Sequence, residues 1–369
     1  MRIDGVELYH VRMPLKYPWR TAYGEDPDIH SVLVKMVSGD AYGWGETTPL
    51  QAPCYSPEWA GGVFTLTQAF LAPQLVGREI ESAEALLAAL EPFKGNPFAK
   101  AGLEMAFWVL TAKQAGKPLH QLLGGRSRPV AVGADFGVQD SIAILLQKMQ
   151  RAVDEGYPRV KLKFRPGWDL EMVKAVRDAF PDLTIHIDCN AAFTLKDLDL
   201  FKQVDRLDLA MIEQPLHHTD IIDHAKLQRC LETPICLDES ITGPQSAEHA
   251  IHLNSCRYMN IKSGRVGGLR NAVTIHDLCE AAGIPCWVGG MLESAVGSGV
   301  STELATLPNF QYPADIFPST INYVEDLGSP AIALCAPGHV PVSTVPGTPY
   351  EPRENLLKEY TVRRAWIQP

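Results

Sequence analysis

The sequence predicts a TIM-type (β/α) barrel with an α+β capping domain that is formed by the N-terminal third and the C-terminal tail. The first observation is a regular interval, because the strand-like segments that end in Lys163, Asp188, Glu213, Asp238 and Lys262 follow one another at separations of 25, 25, 25 and 24 residues. That interval is the length of one strand plus one helix, so the five groups are expected on one rim of a parallel barrel. The second observation is that both ends of the chain lack this rhythm.

The opening segment, residues 1–127, is expected to form the capping domain. RIDGVELYHVRMPL and SVLVKMVSGDAYGWGE have the pattern of β-structure, and the second is a hairpin that turns at Ser38, Gly39 and Asp40. Three amphipathic segments follow, and the helices are predicted near residues 58–75, 82–90 and 100–114. The last of them ends before Gly116.

Residues 128–325 are expected to form the barrel. Short apolar strands alternate with amphipathic helices, and eight strands are predicted near residues 130, 160, 185, 210, 235, 258, 287 and 316. The remaining segment, residues 326–369, is rich in Pro and Gly and is predicted to return to the capping domain.

Composition excludes several classes of function. The 369-residue chain has a formal net charge of -10 and a pI near 5.6, which argues against nucleic acid or an anionic membrane as a partner. No uncharged run of 18 apolar residues occurs, so we expect a cytoplasmic enzyme. The eight cysteines show no C-x-x-C spacing and are interpreted as small buried thiols in a reducing compartment.

Strand parity places the charged side chains inside the barrel mouth. Alternate residues of a strand point to opposite sides, so Lys161 and Lys163 share one side, and Asp188, Glu213 and Asp238 take the same inward direction. Three inward carboxylates on adjacent strands repel one another unless a cation neutralises them. An all-oxygen ligand set favours Mg²⁺, for which Mn²⁺ is expected to substitute.

Two lysines beside such a metal point to proton chemistry. Lys163 and Lys262 flank the acids and can reach opposite faces of one substrate, and Lys161 is expected to lower the pKa of Lys163 as a neighbouring ammonium. The substrate is then a small carboxylate whose α-proton is acidified by the metal. A single strand-end acid is more often a helix cap or a solvated residue, and only the three in register favour catalysis.

The motifs KLK, HIDCN, IEQPL, LDES and NIKSGRVGG resemble, in order, those of the enolase superfamily and its muconate-lactonising subgroup. The resemblance covers nearly the whole chain. It implies that Asp188, Glu213 and Asp238 are Mg²⁺ ligands and that Lys163 and Lys262 are the acid/base pair, with Lys161, Asn190 and Glu239 in support. It also implies a homo-oligomer, since the family commonly forms dimers or larger rings.

Within that subgroup, KFRPGWDLE, CYSPEW and WVGGMLESAVG resemble o-succinylbenzoate synthases and the related N-acylamino acid racemases. The resemblance to the synthases implies dehydration of 2-succinyl-6-hydroxy-2,4-cyclohexadiene-1-carboxylate in menaquinone biosynthesis. N-acylamino acid racemisation is the first alternative activity. Dipeptide epimerisation and cycloisomerisation are the next alternatives. The catalytic residues do not separate the first two reactions.

Substrate contacts are predicted in the loops over the barrel mouth. The candidates are Arg20, Tyr55, Ser56, Asp135, Gly290, Met291 and Ser294. Arg20 is equally compatible with docking its loop to the barrel, and Asp135 stands where a small polar residue is expected. Two other classes are a Schiff-base aldolase, against which the three carboxylates argue, and a non-enzymatic barrel whose charged mouth is incidental.

Overall fold

An antiparallel sheet of four strands forms the capping region. In the computed structural model, which describes residues 1–369, its sequential strands are β1 (Gly5–Arg20), β2 (Glu25–Ser38) and β3 (Ala41–Thr47). The turn between β2 and β3 lies at Gly39 and Asp40, as predicted, and Gly39 has a positive φ of 58°. The last strand of the chain, Thr361–Ile367, pairs with the outer side of β1.

Four helices complete this region, and they are α1 (Ala60–Leu66), α2 (Ala83–Leu90), α3 (Pro97–Gln114) and α4 (Leu119–Leu123). The buried helix α3 packs against β3 at unusually short range. A Cβ at Gly45 would lie 2.7 Å from the backbone nitrogen of Ala106, so only glycine permits this approach.

Seven parallel strands follow a short strand β4 (Val130–Ala131) and form one curled sheet in sequential order. The strands are β5 (Ala134–Phe136), β6 (Arg159–Lys163), β7 (Thr184–Asp188), β8 (Ile212–Glu213), β9 (Ile235–Leu237), β10 (Tyr258–Ile261) and β11 (Cys286–Val288). The helices are α5 (Ile142–Asp154), α6 (Leu170–Ala179), α7 (Leu198–Val204), α8 (Ile222–Gln228), α9 (Pro244–Leu253), α10 (Leu269–Ala281) and α11 (Ala295–Leu304). The eighth strand expected near residue 316 is not a regular strand, and isolated bridges from Val132 to Ala314 and from Cys286 to Phe310 take its place.

The strand register explains why five distant residues share one rim. Lys163, Asp188 and Glu213 stand opposite one another in neighbouring strands. Cys236 is the partner of Glu213, and Asp238 lies two residues beyond it. Tyr258 is the partner of Cys236, and Lys262 lies four residues beyond Tyr258. This drift averages one residue per strand, which is the stagger of an eight-stranded barrel.

Two large apolar cores and one small one confirm the predicted strand parity. Ile187, Ile212 and Ile261 belong to the core between the strands and the surrounding helices, whereas Met211 and Cys236 pack inside the barrel against Trp287. The capping region has its own core, which also includes Met291 and Leu292 of the barrel.

The tail crosses back over the molecule in short elements. They are α12 (Ser319–Asn322), β12 (Gly328–Ser329), β13 (His339–Val340), β14 (Glu351–Pro352), α13 (Glu354–Tyr360) and β15 (Thr361–Ile367). All eight cysteines are free thiols, but the expectation that they are buried is wrong for Cys54, Cys230 and Cys335, which are exposed. None of the helices is both long enough and apolar enough to cross a bilayer.

Candidate active site

The carboxyl ends of the barrel strands bring the predicted acids and lysines into direct contact. Lys163 Nζ lies 2.6 Å from Asp188 Oδ2, and Lys262 Nζ lies 2.9 Å from Asp238 Oδ2. Glu213, on the strand between them, is completely buried. Each lysine therefore neutralises a different acid, one on each side of the group.

Tyr55, from the loop after β3, closes over this group from the capping region. Its hydroxyl lies 3.1 Å from both Oδ atoms of Asp238 and 3.1 Å from Lys262 Nζ, which also sits 4.6 Å from the centre of the tyrosine ring. The capping loop thus contributes a polar atom to the barrel mouth.

Arg265 is a member of the site that the sequence reasoning missed. Its guanidinium contacts Asp238, lies 3.0 Å from Tyr55 Oη, and donates to the carbonyl oxygens of Ile241 and Asn260. An arginine three residues after Lys262 was the available signal in the sequence.

A second layer of charges lies one step deeper in the barrel. Lys161 pairs with Asp135 at 2.9 Å and contacts Asp315, and Arg159 contacts the same two acids. Burial alone would lower the pKa of Lys161, but Asp135 and Asp315 raise it well above its ordinary value. Lys161, which was expected to stand beside Lys163 as a free ammonium, is therefore protonated but paired with these two acids.

Electrostatics keep Glu213 ionised although it is buried. Burial would raise its pKa, but Lys161 and His186 lower it to about 2. Asn260 donates to its Oε1 at 2.6 Å, whereas its Oε2 has no hydrogen-bond partner. Glu239 behaves oppositely, because burial and the charge of Asp188 raise its pKa to about 7, and Asn190 donates to it at 3.2 Å.

The donor chemistry of the mouth fits a hard divalent cation. Three carboxylates supply oxygen ligands, and buried oxygens of Glu213, Glu239 and Asn190 have no hydrogen-bond partner. Asp188, Glu213 and Asp238 do not bring three carboxylate oxygens, one from each residue, within 4.8 Å of one another. The ligand atoms of His276, Asp277 and Glu280 alone lie that close together. His276 already uses both ring nitrogens, so that surface set is not a metal site. At the mouth, metal binding requires the acids to exchange lysine contacts for the ion.

A cavity of about 40 Å³ lies between the mouth and the capping loops. The predicted residues that line it are Tyr55, Asp135, Lys161, Lys163, Asn190, Lys262, Gly290 and Met291. Trp19, Tyr23, Asp26, Leu50 and Phe317 also line it, and of these Asp26, Leu50 and Phe317 had not been predicted as substrate contacts.

Three predicted substrate contacts lie elsewhere. The Ser56 hydroxyl bonds locally to the backbone of Glu58, and buried Ser294 caps α11 and donates to Glu46. Arg20 pairs with Glu25 at 2.8 Å and contacts Asp140 in the loop between β5 and α5, so the structure favours its alternative role of docking the loop to the barrel.

The chain is similar to known proteins over most of its length. Residues 145–356 match the family model described as enolase C-terminal domain-like, and residues 3–124 match the N-terminal domain of mandelate racemase and muconate lactonizing enzyme. An N-succinylamino acid racemase from Thermus thermophilus is 44% identical over 90% of both chains. An o-succinylbenzoate synthase from Geobacillus stearothermophilus is 41% identical over 98% of this chain and 96% of its own. An enolase-superfamily structure from Listeria innocua superposes with a TM-score of 0.95 at 36% identity, covering 100% of this chain and 99% of the other.

Proposed function

We propose that this chain, which belongs to the enolase superfamily and its muconate-lactonising subgroup, removes the proton α to a carboxylate of a small molecule. The observation that carries the proposal is the placement of two amines on opposite sides of three carboxylates. Lys163 pairs with Asp188 at one end of the group, and Lys262 pairs with Asp238 at the other. Amines placed in this way can reach both faces of one substrate carbon.

Mg²⁺ is the proposed cofactor, with Asp188, Glu213 and Asp238 as its ligands and Mn²⁺ as a substitute. When bound, the ion supplies positive charge beside the substrate carboxylate and makes the neighbouring C–H bond more acidic. Lys163 is the proposed base that takes the α-proton. Lys262 presents its positive charge to the opposite face, and Tyr55 holds that ammonium at 3.1 Å.

The first candidate reaction is the dehydration of 2-succinyl-6-hydroxy-2,4-cyclohexadiene-1-carboxylate to o-succinylbenzoate. Lys163 takes the α-proton and returns it to the departing hydroxyl, so that water leaves and the ring becomes aromatic. The relative from Geobacillus stearothermophilus carries the name of this activity. Its place in menaquinone biosynthesis, a homo-oligomeric assembly and a cytoplasmic location stay predictions.

The second candidate is racemisation of N-acylamino acids, favoured by the lysine on each face and by the name of the Thermus relative. Here one lysine removes the α-proton and the other delivers a proton to the opposite face.

Solvent deuterium exchange tests both candidates. In D₂O with Mg²⁺, an N-succinylamino acid should gain α-deuterium and racemise, and the cyclohexadiene substrate should yield o-succinylbenzoate. Failure of both reactions, with protein that binds Mg²⁺, would reject the proposed function.

A further inference from the structure

Asp26 is the acid of the cavity lining that has no partner. The cavity is lined by two acids, and Asp135 is paired with Lys161 and Arg159. Asp26 is half-buried and makes no ion pair or side-chain hydrogen bond, and the charge that most affects it is that of another acid, Asp28. Asp28 on the same strand is fully committed, because Arg12 lies 2.6 Å and His30 lies 3.1 Å from its carboxylate.

Aromatic rings line the cavity with this carboxylate. Trp19 stands directly opposite Asp26 in the pairing of β1 with β2. Tyr23 and Tyr55 also line the cavity, and their ring centres are 6.5 Å apart in an edge-on arrangement. Aromatic faces and a free carboxylate are the two kinds of group that stabilise a bound ammonium or guanidinium.

Among the charged residues that line the cavity, Asp26 alone lacks a partner of opposite charge. Each of the three lysines at the barrel mouth already has an acidic partner there. At the capping end, burial raises the pKa of Asp26 and the charge of Asp28 adds to the rise, so a positive ligand group would relieve both penalties. A substrate that places a second carboxylate beside Asp26 would add like charge instead.

We propose that Asp26 binds a cationic side chain of the substrate, so that the preferred substrates are N-acylated amino acids with a basic side chain. This inference rests on the proposed function and names the substrate class for its second candidate. Asp26 acts on specificity, since it touches the distal part of the substrate and not the reacting carbon.

The test compares two substrates that differ almost only in the terminal ammonium, N-succinyl-L-lysine and N-succinyl-L-norleucine. Wild-type enzyme should exchange the α-proton of the lysine compound with the higher kcat/KM. Asp26→Asn should lower that kcat/KM by about 10- to 100-fold, the usual worth of a hydrogen bond to a charged group, and change the norleucine value by less than about threefold. The matched control Asp40→Asn removes the same charge from the exposed hairpin turn and should change neither value.

The outcomes separate the two levels of inference. Equal or faster exchange of the norleucine compound by wild-type enzyme would reject the cation site while the proposed function stands. An equal loss for both substrates in Asp26→Asn would assign the residue a structural role and also overturn the inference. No exchange with either compound and no dehydration would reject the proposed function, and the inference with it.

Discussion

Lys163 Nζ lies 2.6 Å from Asp188 Oδ2, and the two residues face each other across β6 and β7. The proposed base is thus held by a proposed metal ligand. One oxygen lone pair cannot serve the ammonium and a metal ion at full strength at the same time. Metal binding at Asp188 is therefore expected to loosen the lysine and make it available to the substrate.

Replacement of Lys163 by Ala should lower turnover by about 10²- to 10⁴-fold, which is the usual contribution of a positioned acid or base. Mg²⁺ affinity, measured by calorimetry, should stay the same or rise because Asp188 loses a competing cation. Lys174→Ala is the matched control, since Lys174 lies on α6 and pairs only with the exposed Glu171. Activity within about tenfold of wild type in Lys163→Ala would exclude its role as base.

Glu213→Gln should weaken Mg²⁺ binding by more than about 100-fold, because it removes a buried ionised ligand and not merely a supporting contact. The wild-type carboxylate has a pKa of about 2, so it carries its charge at every pH at which the enzyme is assayed. Calorimetric titration with Mg²⁺ measures the effect, and exposed Glu232→Gln supplies the control. In wild-type enzyme, chelation should stop α-proton exchange and added Mg²⁺ should restore it. Unchanged Mg²⁺ affinity in Glu213→Gln would remove this residue from the ligand set.

The barrel and its rim were predictable because strands have a period. Alternation along KLK and TIHID assigns each side chain to a face without any three-dimensional information, and the constant interval aligns the strands. A strand period assigns a side chain to a face of its own sheet but does not show which distant segment meets that face, and residues in loops have no such period at all. Asp26 and Arg265 were missed because their environment depends on which distant segments meet, here the β1–β2 hairpin with the cavity and the loop after β10 with Tyr55. Ser294 was expected near substrate, and it instead satisfies the buried carboxylate of Glu46.

A pH-dependent link joins the capping region to the barrel at Glu104. This buried residue of α3 accepts hydrogen bonds from the backbone nitrogens of Leu269 and Arg270 at 2.7 and 2.8 Å, and so caps α10. Burial nevertheless raises its pKa from 4.5 to about 7. The folded state then binds more protons than the unfolded state between these values, so stability should fall as pH rises through this window and level off above it.

Glu104→Gln should remove this part of the pH dependence. Relative to wild type, the variant's free energy of unfolding should rise by about 3 kcal/mol between pH 4 and pH 8, whatever its offset at low pH. Urea unfolding at several pH values measures the difference, and Glu248→Gln, at an exposed position of α9, is a control for a general charge effect. Parallel curves for wild type and Glu104→Gln would show that the two backbone N–H groups keep the carboxylate ionised in the folded state across the whole window.

Two buried tyrosines provide a matched test of how hydroxyl groups affect stability. Tyr157 Oη is buried without a hydrogen-bond partner, whereas the hydroxyl of Tyr323 donates to the carbonyl oxygen of Leu292. Tyr157→Phe should therefore stabilise the protein by about 1 to 2 kcal/mol, because it removes a polar group whose desolvation is not repaid. Tyr323→Phe should destabilise it by a similar amount, since it leaves a buried carbonyl unpaired. The urea midpoints should move in opposite directions at unchanged m-value. A loss of stability in both variants would show that Tyr157 has a hydrogen-bond partner in solution, such as a buried water.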